Sequence, residues 1–140
     1  MYQYKAIITK VIDGDTVDVD IDLGFEVWLR NQRIRLYGID TPESRTSDKV
    51  EKVFGNLAKS KILHFCPVGA KIVLQTKTDD SRGKYGRILG ELITNEGLNV
   101  NEYMIENNYA VAYFGMSKSD IAQKQLDNRQ VLIERGEVSL

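Results

Sequence analysis

The sequence predicts an α+β domain, a small antiparallel β-barrel with helices packed against it. Strand patterns with alternating apolar and polar residues cluster before residue 40, a helical pattern follows, and two more helical patterns close the chain. The length of 140 residues suits one hydrophobic core and is too short for two. We therefore expect a single domain over residues 1–140.

Composition excludes several classes of protein. Hydrophobic residues make up 42% of the chain and charged residues 28%, as in soluble globular proteins. No apolar run approaches the ~18 residues that span a bilayer, so we expect no membrane partner. The first residues enter a strand pattern without the apolar core of a signal peptide, which leaves a cytoplasmic protein or a processed secreted form. The lone Cys66 is predicted to be a packing residue.

The net charge of −1 hides an asymmetry along the chain. Residues 28–90 contain thirteen Lys and Arg against six Asp and Glu, whereas the remainder contains six against fourteen. The middle of the chain is therefore the part suited to a polyanion. With a pI near 5.9, any contact with nucleic acid is expected to be local.

The first part of the chain predicts a three-stranded meander. Strand patterns cover residues 4–12, 16–23 and 25–39, and Asp13-Gly14 is a tight-turn signal between the first two. Alternate positions of the second strand are aspartates, which we interpret as a solvated face and not as cation ligands. They are Asp18, Asp20 and Asp22.

Three helices and two further strands follow. The helices are predicted from Ser47 or Asp48 to about His64, from Asn99 to about Asn108, and from Ser117 to Gly136. The strands are predicted at residues 71–75 and 87–94, with a polar loop at 76–86 between them.

The stretch 34–43 concentrates charged residues at the end of the third strand. Arg35, Asp40 and Glu43 fall within ten residues, and Gly38 allows a kink between the first two. One cation and two anions at a strand end are typical of a reaction centre. Taken alone, however, this stretch is better explained as a strand followed by a turn with solvated charges.

Three separated strings carry a family resemblance. They are Ile-Asp-Gly-Asp-Thr-Val at 12–17, Ile-Arg-Leu-Tyr-Gly-Ile-Asp-Thr-Pro-Glu at 34–43 and Lys-Tyr-Gly-Arg at 84–87. In this order and spacing they resemble the staphylococcal nuclease (thermonuclease) family, and similarity continues at 99–102 and 110–113. The resemblance implies a five-stranded antiparallel OB-type barrel with three helices, which agrees with the pattern of elements.

The resemblance also implies a metal site. Asp15 and Asp40 match carboxylate ligands of one Ca²⁺, and the backbone carbonyl of Thr41 matches a third ligand. Such a hard cation takes oxygen ligands, and two protein charges leave positions open for a phosphate oxygen and a water.

Catalytic and substrate-binding residues are implied in the same way. Glu43 matches the family's general base, and the sequence leaves open whether it abstracts the proton of the attacking water or orients that water. Arg35 and Arg87 match the two arginines that clamp the scissile phosphate. Groove residues that bind and stack on the substrate are matched by Lys84, Tyr85 and Tyr113.

The implied activity is that of a calcium-dependent endonuclease that hydrolyses DNA or RNA by in-line attack of water and leaves 3′-phosphate ends. We expect a monomer that prefers single-stranded substrates. The alternative is a catalytically silent OB-fold domain that binds nucleic acid or protein, although such modules are expected to lose site residues that this chain keeps.

The chain departs from the family pattern at three places. The segment 18–33 is longer and could project beside the site, Gly115 stands where an aromatic residue is expected, and the tail lacks a tryptophan. These departures put details of the groove in doubt and leave the implied chemistry unchanged.

Overall fold

The secondary structure is that of a computed structural model, which describes residues 2–77 and 87–140. Within these residues the strands are β1 (Gln3–Asp13), β2 (Thr16–Asp22), β3 (Trp28–Leu36), β4 (Ile39–Asp40), β5 (Lys71–Thr76), β6 (Ile88–Ile93) and β7 (Val111–Ala112). The helices are α1 (Lys49–Phe65), α2 (Val100–Glu106) and α3 (Lys118–Glu134). None of these helices is long and apolar enough to cross a membrane.

Five strands close into a barrel in the order β1-β2-β3-β6-β5, which confirms the predicted barrel with three helices. One feature of the prediction is corrected, because β3 and β6 pair in parallel while the other neighbours are antiparallel. A closed ring with an odd number of strands cannot alternate direction all the way round. One parallel pair is therefore a geometric necessity of a five-stranded barrel.

Alternation in β2 separates the core from the surface, as the sequence pattern indicates. Val17 and Val19 are fully buried inside the barrel. On the outer face the carboxylate of Asp18 pairs with Arg33 and that of Asp20 with Arg30, both at 2.9 Å across the β2–β3 ladder. Exposed pairs of this kind contribute little to stability, so the buried valines dominate the energetics of the strand.

The tip of the β2–β3 hairpin lies at the far end of the ladder from the charged stretch. Thr16 is opposite Arg35 at one end, and Asp22 is opposite Trp28 at the other. The expectation that the long segment 18–33 could project beside the site is thus not met, because the register directs its extra length away from Arg35.

A second, two-stranded sheet was not predicted from the sequence. β4 pairs with β7, so that Asp40 lies opposite Val111. Gly38 has φ +78°, and a Cβ there would lie 2.7 Å from the ring of Phe114. A residue with a side chain would be strained in this conformation and would clash, so glycine permits the turn from β3 into β4. This turn places Asp40.

The helices begin at the predicted caps. Asp48, one of the two candidates, accepts hydrogen bonds from the amides of Val50 and Glu51, and the side chains of Asn99 and Ser117 cap α2 and α3. At the end of α1, Cys66 is fully buried, and burial raises the pKa of its thiol to about 12. It is a packing residue, as predicted.

Asn101 joins α2 to the barrel beside the turn at Gly38. It is 2% exposed, its Nδ2 donates to the carbonyl oxygens of Tyr37 (2.9 Å) and Gly90 (3.2 Å), and its Oδ1 accepts from the N–H of Leu92 (3.2 Å). The side chain therefore satisfies three backbone groups, one in the residue that follows β3 and two within β6.

We expect Asn101→Ala to lower the free energy of unfolding by roughly 3 kcal/mol, because buried donors and acceptors lose their partners without access to water. Denaturant titration measures this change. Asn95→Ala, at an exposed turn position, is the control and should change stability by less than about 0.5 kcal/mol. A similar loss in both variants would contradict the assignment.

Candidate active site

A cleft of about 630 Å³ lies where β3, β4, α1 and α3 meet. Of the residues predicted to form the site, those that line it are Arg35, Asp40, Thr41, Glu43 and Tyr113. Asp48 at the N-cap of α1 and Glu51 in its first turn add to its walls, as do Lys118, Gln125 and Arg129 of α3. The structure thus brings most of the predicted site residues that it describes into one concave surface, as expected of a binding or catalytic site.

Asp15 links the strand ends beneath this cleft. It is 9% exposed and its Oδ1 accepts from the hydroxyl of Thr16 at 3.0 Å. Its Oδ2 accepts from the N–H of Thr41 at 3.3 Å and lies 3.5 Å from Nη1 of Arg35. The backbone contributes as well, since the N–H of Leu36 donates to the carbonyl of Asp15 at 2.8 Å. Asp15 is therefore held against β3 and the residue that follows β4.

Asp40 and Asp15 repel each other in this arrangement. Burial and then the carboxylate of Asp15 raise the pKa of Asp40, while the guanidinium of Arg35 lowers it. Two partly buried carboxylates this close together are suited to a bound cation, whose positive charge would favour the ionised form of Asp40.

The donor set at this position consists of oxygen atoms. Within residues 2–77 and 87–140, no group of three or more His, Cys, Asp or Glu side chains is arranged to hold a metal ion. Two carboxylates with a backbone carbonyl form a smaller set, which fits a hard cation that keeps several waters and does not fit a closed structural site. Asp15, Asp40 and the carbonyl of Thr41 are thus compatible with Ca²⁺.

The guanidinium of Arg35 is anchored beside these proposed ligands. Its Nη1 donates to the carbonyl of Leu36 at 3.0 Å and to that of Asp15 at 3.5 Å. Across the described part of the chain, its Nη2 makes no hydrogen bond to protein. A guanidinium fixed through one nitrogen presents the other to a ligand in the cleft.

Arg87 is placed by the parallel pairing of β3 and β6. Arg35 lies opposite Leu89, and Arg87 stands two residues before that position, immediately before the first residue of β6. Arg87 is half-buried and stands outside the residues that line the cleft.

Glu43 lies in the loop after β4, and its carboxyl group is near two other acids although the residue as a whole is exposed. Partial burial of the carboxyl group, followed by the charges of Asp13 and Asp15, raises the pKa of Glu43 to about 7, and a hydrogen bond with the Asp13 side chain adds to the shift. From the sequence alone, Asp13 is predicted only as a turn residue. Its place in the string 12–17, beside Asp15, was the available signal.

The raised pKa predicts a pH dependence of stability in the metal-free protein. Folded Glu43 binds its proton more tightly than the unfolded chain does, so stability should fall as the pH rises from about 4.5 to about 7. Glu43→Gln removes this titration. We expect the variant to gain stability over the unmodified protein at pH 8 in the presence of chelator, and not at pH 4. Denaturant unfolding at both pH values measures the difference, and an equal effect at both would contradict the prediction.

Of the three residues predicted to bind substrate, the structure describes only Tyr113. Tyr113 lines the cleft with 43% of its surface exposed, and its N–H donates to the carbonyl of Gly38 at 2.8 Å. Lys84 and Tyr85 lie outside the described residues.

Comparison with known proteins gives consistent matches. A family model described as "Staphylococcal nuclease homologue" matches residues 33–134. Endonuclease YhcR of Bacillus subtilis (strain 168) is 31% identical over 117 residues, which cover 80% of this chain and 9% of that protein. An Escherichia coli protein named "Uncharacterized endonuclease" is 34% identical over 106 residues, covering 76% of this chain and 59% of that protein.

An archaeal relative extends the range of organisms. The "Uncharacterized protein MJ1439" of Methanocaldococcus jannaschii is 31% identical over 133 residues, covering 79% of this chain and 59% of that protein. The chain thus spans about three-fifths or less of the length of these relatives.

Proposed function

We propose, from the premise that this chain belongs to the staphylococcal nuclease homologue family, that it is an endonuclease which hydrolyses phosphodiester bonds of DNA or RNA. The observation that carries the proposal is the cleft in which Arg35 lies beside the carboxylates of Asp15 and Asp40. Hydrolysis of a phosphodiester requires a group that deprotonates or orients the attacking water. It also requires cations that stabilise the charge that develops on the phosphate. Both are available at this cleft.

The proposed metal is Ca²⁺, held by the carboxylates of Asp15 and Asp40 and the carbonyl of Thr41. When bound, it would polarise the phosphate and lower the pKa of an associated water. The protein's contribution is to hold the two carboxylates together, which the hydrogen bond from the N–H of Thr41 to Asp15 supports.

Glu43 is proposed to act on the attacking water. The water oxygen forms a bond to phosphorus as the bond from phosphorus to the 5′ oxygen breaks, so the upstream strand ends in a 3′-phosphate. The downstream strand leaves through its 5′ oxygen, which takes a proton from solvent to become a 5′-hydroxyl. The water's proton passes to Glu43 or leaves through solvent while Glu43 orients the water. A carboxyl group whose pKa lies near 7 in the metal-free protein is suited to the first role at neutral pH.

Arg35 and Arg87 are proposed to bind the scissile phosphate from the barrel side. As water attacks, negative charge grows on the non-bridging oxygens, and guanidinium groups held on a strand meet that charge without reorganising. Parallel pairing of β3 and β6 supports a shared role, because it brings the start of β6, which Arg87 directly precedes, beside the strand that carries Arg35.

Tyr113, Lys84 and Tyr85 are proposed to bind the neighbouring nucleotide. A half-exposed tyrosine in the cleft offers a stacking surface for a base. Unpaired bases stack on such rings more readily than bases in a duplex, so we propose a preference for single strands. We propose further that the chain acts as one domain over residues 1–140 and as a monomer.

The test is incubation of the purified chain with single-stranded DNA, duplex DNA and RNA, first with Ca²⁺ and then with excess chelator. We expect cleavage that is fastest on single strands, stops with chelator and yields ends that a 3′-phosphatase modifies. Binding to these substrates without cleavage under any metal condition would instead favour the silent nucleic-acid-binding domain.

A further inference from the structure

Helix α1 contacts the backbone of Glu43 through a hydrogen bond that spans a loop. Oε2 of Glu51, in the first turn of α1, accepts from the N–H of Glu43 at 2.9 Å. Both residues line the cleft. The contact closes the loop that joins β4 to α1 and ties the residue proposed to act on water to a rigid element.

Glu51 occupies a position from which a glutamate ordinarily serves its own helix. Asp48 is the N-cap, and its side chain accepts from the N–H of Glu51. In a capping box, the glutamate at this third position returns a bond to the N–H of the cap residue. Here the N–H of Asp48 donates to the hydroxyl of Thr46 at 3.2 Å, and Glu51 binds Glu43 instead. The carboxylate is thus used outside the helix.

Gly55, one helical turn after Glu51, supplies a second contact with the same backbone. A Cβ at Gly55 would lie 2.3 Å from the carbonyl oxygen of Glu43 and 2.6 Å from the nitrogen of Ser44. These atoms belong to the backbone and cannot move aside as the end of a side chain can. Glycine in a helix interior costs about 1 kcal/mol relative to alanine, so its presence here is explained by the close approach of the loop.

We propose that Glu51 and Gly55 are positioning residues that together set the place of Glu43 in the cleft. They lie at positions i and i+4 of α1, on one face of the helix, and contact the N–H and the C=O of the same residue. With the backbone held on both sides of its Cα, Glu43 keeps its carboxyl group beside Asp13 and Asp15. The inference rests on the proposed function, since it concerns the residue that acts on water there.

The kinetic test compares Glu51→Ala, Glu51→Gln and Gly55→Ala on a short single-stranded oligonucleotide at saturating Ca²⁺. We expect kcat to fall roughly 10-fold or more in the two alanine variants with KM within about 2-fold of the original, because a displacement near 1 Å costs up to ~10² in rate. Glutamine retains an oxygen acceptor, so Glu51→Gln should restore most of kcat. Asn56→Ala, at an exposed neighbouring position of α1, is the matched control and should keep kcat.

A double-mutant cycle separates positioning from general damage. If Glu51 acts through Glu43, adding Glu51→Ala to a Glu43→Ala variant should lower kcat no further. Additive losses would overturn the inference, as would a Glu51→Gln variant as slow as Glu51→Ala.

A measurement without substrate keeps the inference independent of activity. The amide hydrogen of Glu43 should exchange with solvent at least ~10-fold faster in Glu51→Ala than in the unmodified chain, and Glu51→Gln should keep the protection. Absence of cleavage by the unmodified chain would defeat the proposed function and leave this test in force. Equal exchange in all three proteins would overturn the positioning role even in an active enzyme. The comparison of the Glu51 variants does not depend on whether Gly55→Ala folds, so it tests the positioning role by itself.

Discussion

Replacement of Arg35 or Arg87 by alanine is expected to lower kcat by roughly 10²-fold or more, by comparison with other groups that stabilise charge in a transition state. A guanidinium held against phosphate oxygens that gain charge binds the transition state better than the ground state. Its removal therefore raises the barrier and does not merely weaken substrate binding. The position of Arg35 favours this role, because Nη1 is anchored to backbone carbonyls at one end of β3.

Lysine should recover little of the lost rate at either arginine. A single ammonium cannot reproduce the planar two-point contact of a guanidinium with a phosphate. Lys84→Ala, by contrast, should mainly raise KM, since a groove lysine contacts the ground and transition states about equally.

Arg30→Ala is the matched control for these variants. Arg30 lies on the same strand as Arg35, at the hairpin end, and pairs with Asp20 on the surface. Its loss should leave both kcat and KM near their original values. Steady-state kinetics on a short single-stranded oligonucleotide, with folding checked by circular dichroism, measures the series. An Arg35 or Arg87 variant that keeps kcat and changes only KM would show that this arginine docks the substrate without stabilising the transition state.

Asp40→Asn is expected to reduce kcat by about 10³-fold, because it removes one of the two carboxylates proposed to bind Ca²⁺ and with it several kcal/mol of charge stabilisation on the phosphate. Asparagine keeps the size of the side chain, so the half-buried site should remain packed. Ca²⁺ should raise the Tm of the unmodified protein by mass action and leave the Tm of the variant nearly unchanged.

The same substitution has an opposite effect on the metal-free protein. Burial and Asp15 raise the pKa of Asp40, so its ionisation reduces stability as the pH rises past the ordinary range of an aspartate. Asp40→Asn should therefore be more stable than the unmodified protein at pH 7 in chelator, although it is less active with Ca²⁺.

Thermal unfolding with Ca²⁺ and with chelator measures both effects. Asp22→Asn is the control, since Asp22 lies at the hairpin end of β2, opposite Trp28 and away from the cleft. A Ca²⁺-dependent rise in Tm that persists in Asp40→Asn would contradict the assignment of Asp40 as a metal ligand.

The helices and the hairpin show how far local chemistry predicts this fold. Asn99 and Ser117 carry the capping signals that open α2 and α3, and alternation in β2 separates its buried valines from its aspartates. These features depend on neighbours within a few residues, so the sequence contains all that is needed to infer them. The pairing of β4 with β7 is not predictable in this way, because two-residue strands have no periodicity.

Some features of the candidate site can likewise be inferred from the sequence, and others are visible only in the structure. The family can be inferred from the sequence alone, through three strings in the right order, and with it the identities of the residues proposed for metal, water and phosphate. The tertiary structure was needed to show that Asp15 lies against Thr41 and Arg35, that Asp13 lies beside Glu43, and that α1 holds the backbone of Glu43 through Glu51 and Gly55. Most of these contacts join residues on different elements, and no pattern within one element encodes them. They exist because barrel closure and the packing of α1 bring separate segments into hydrogen-bond range.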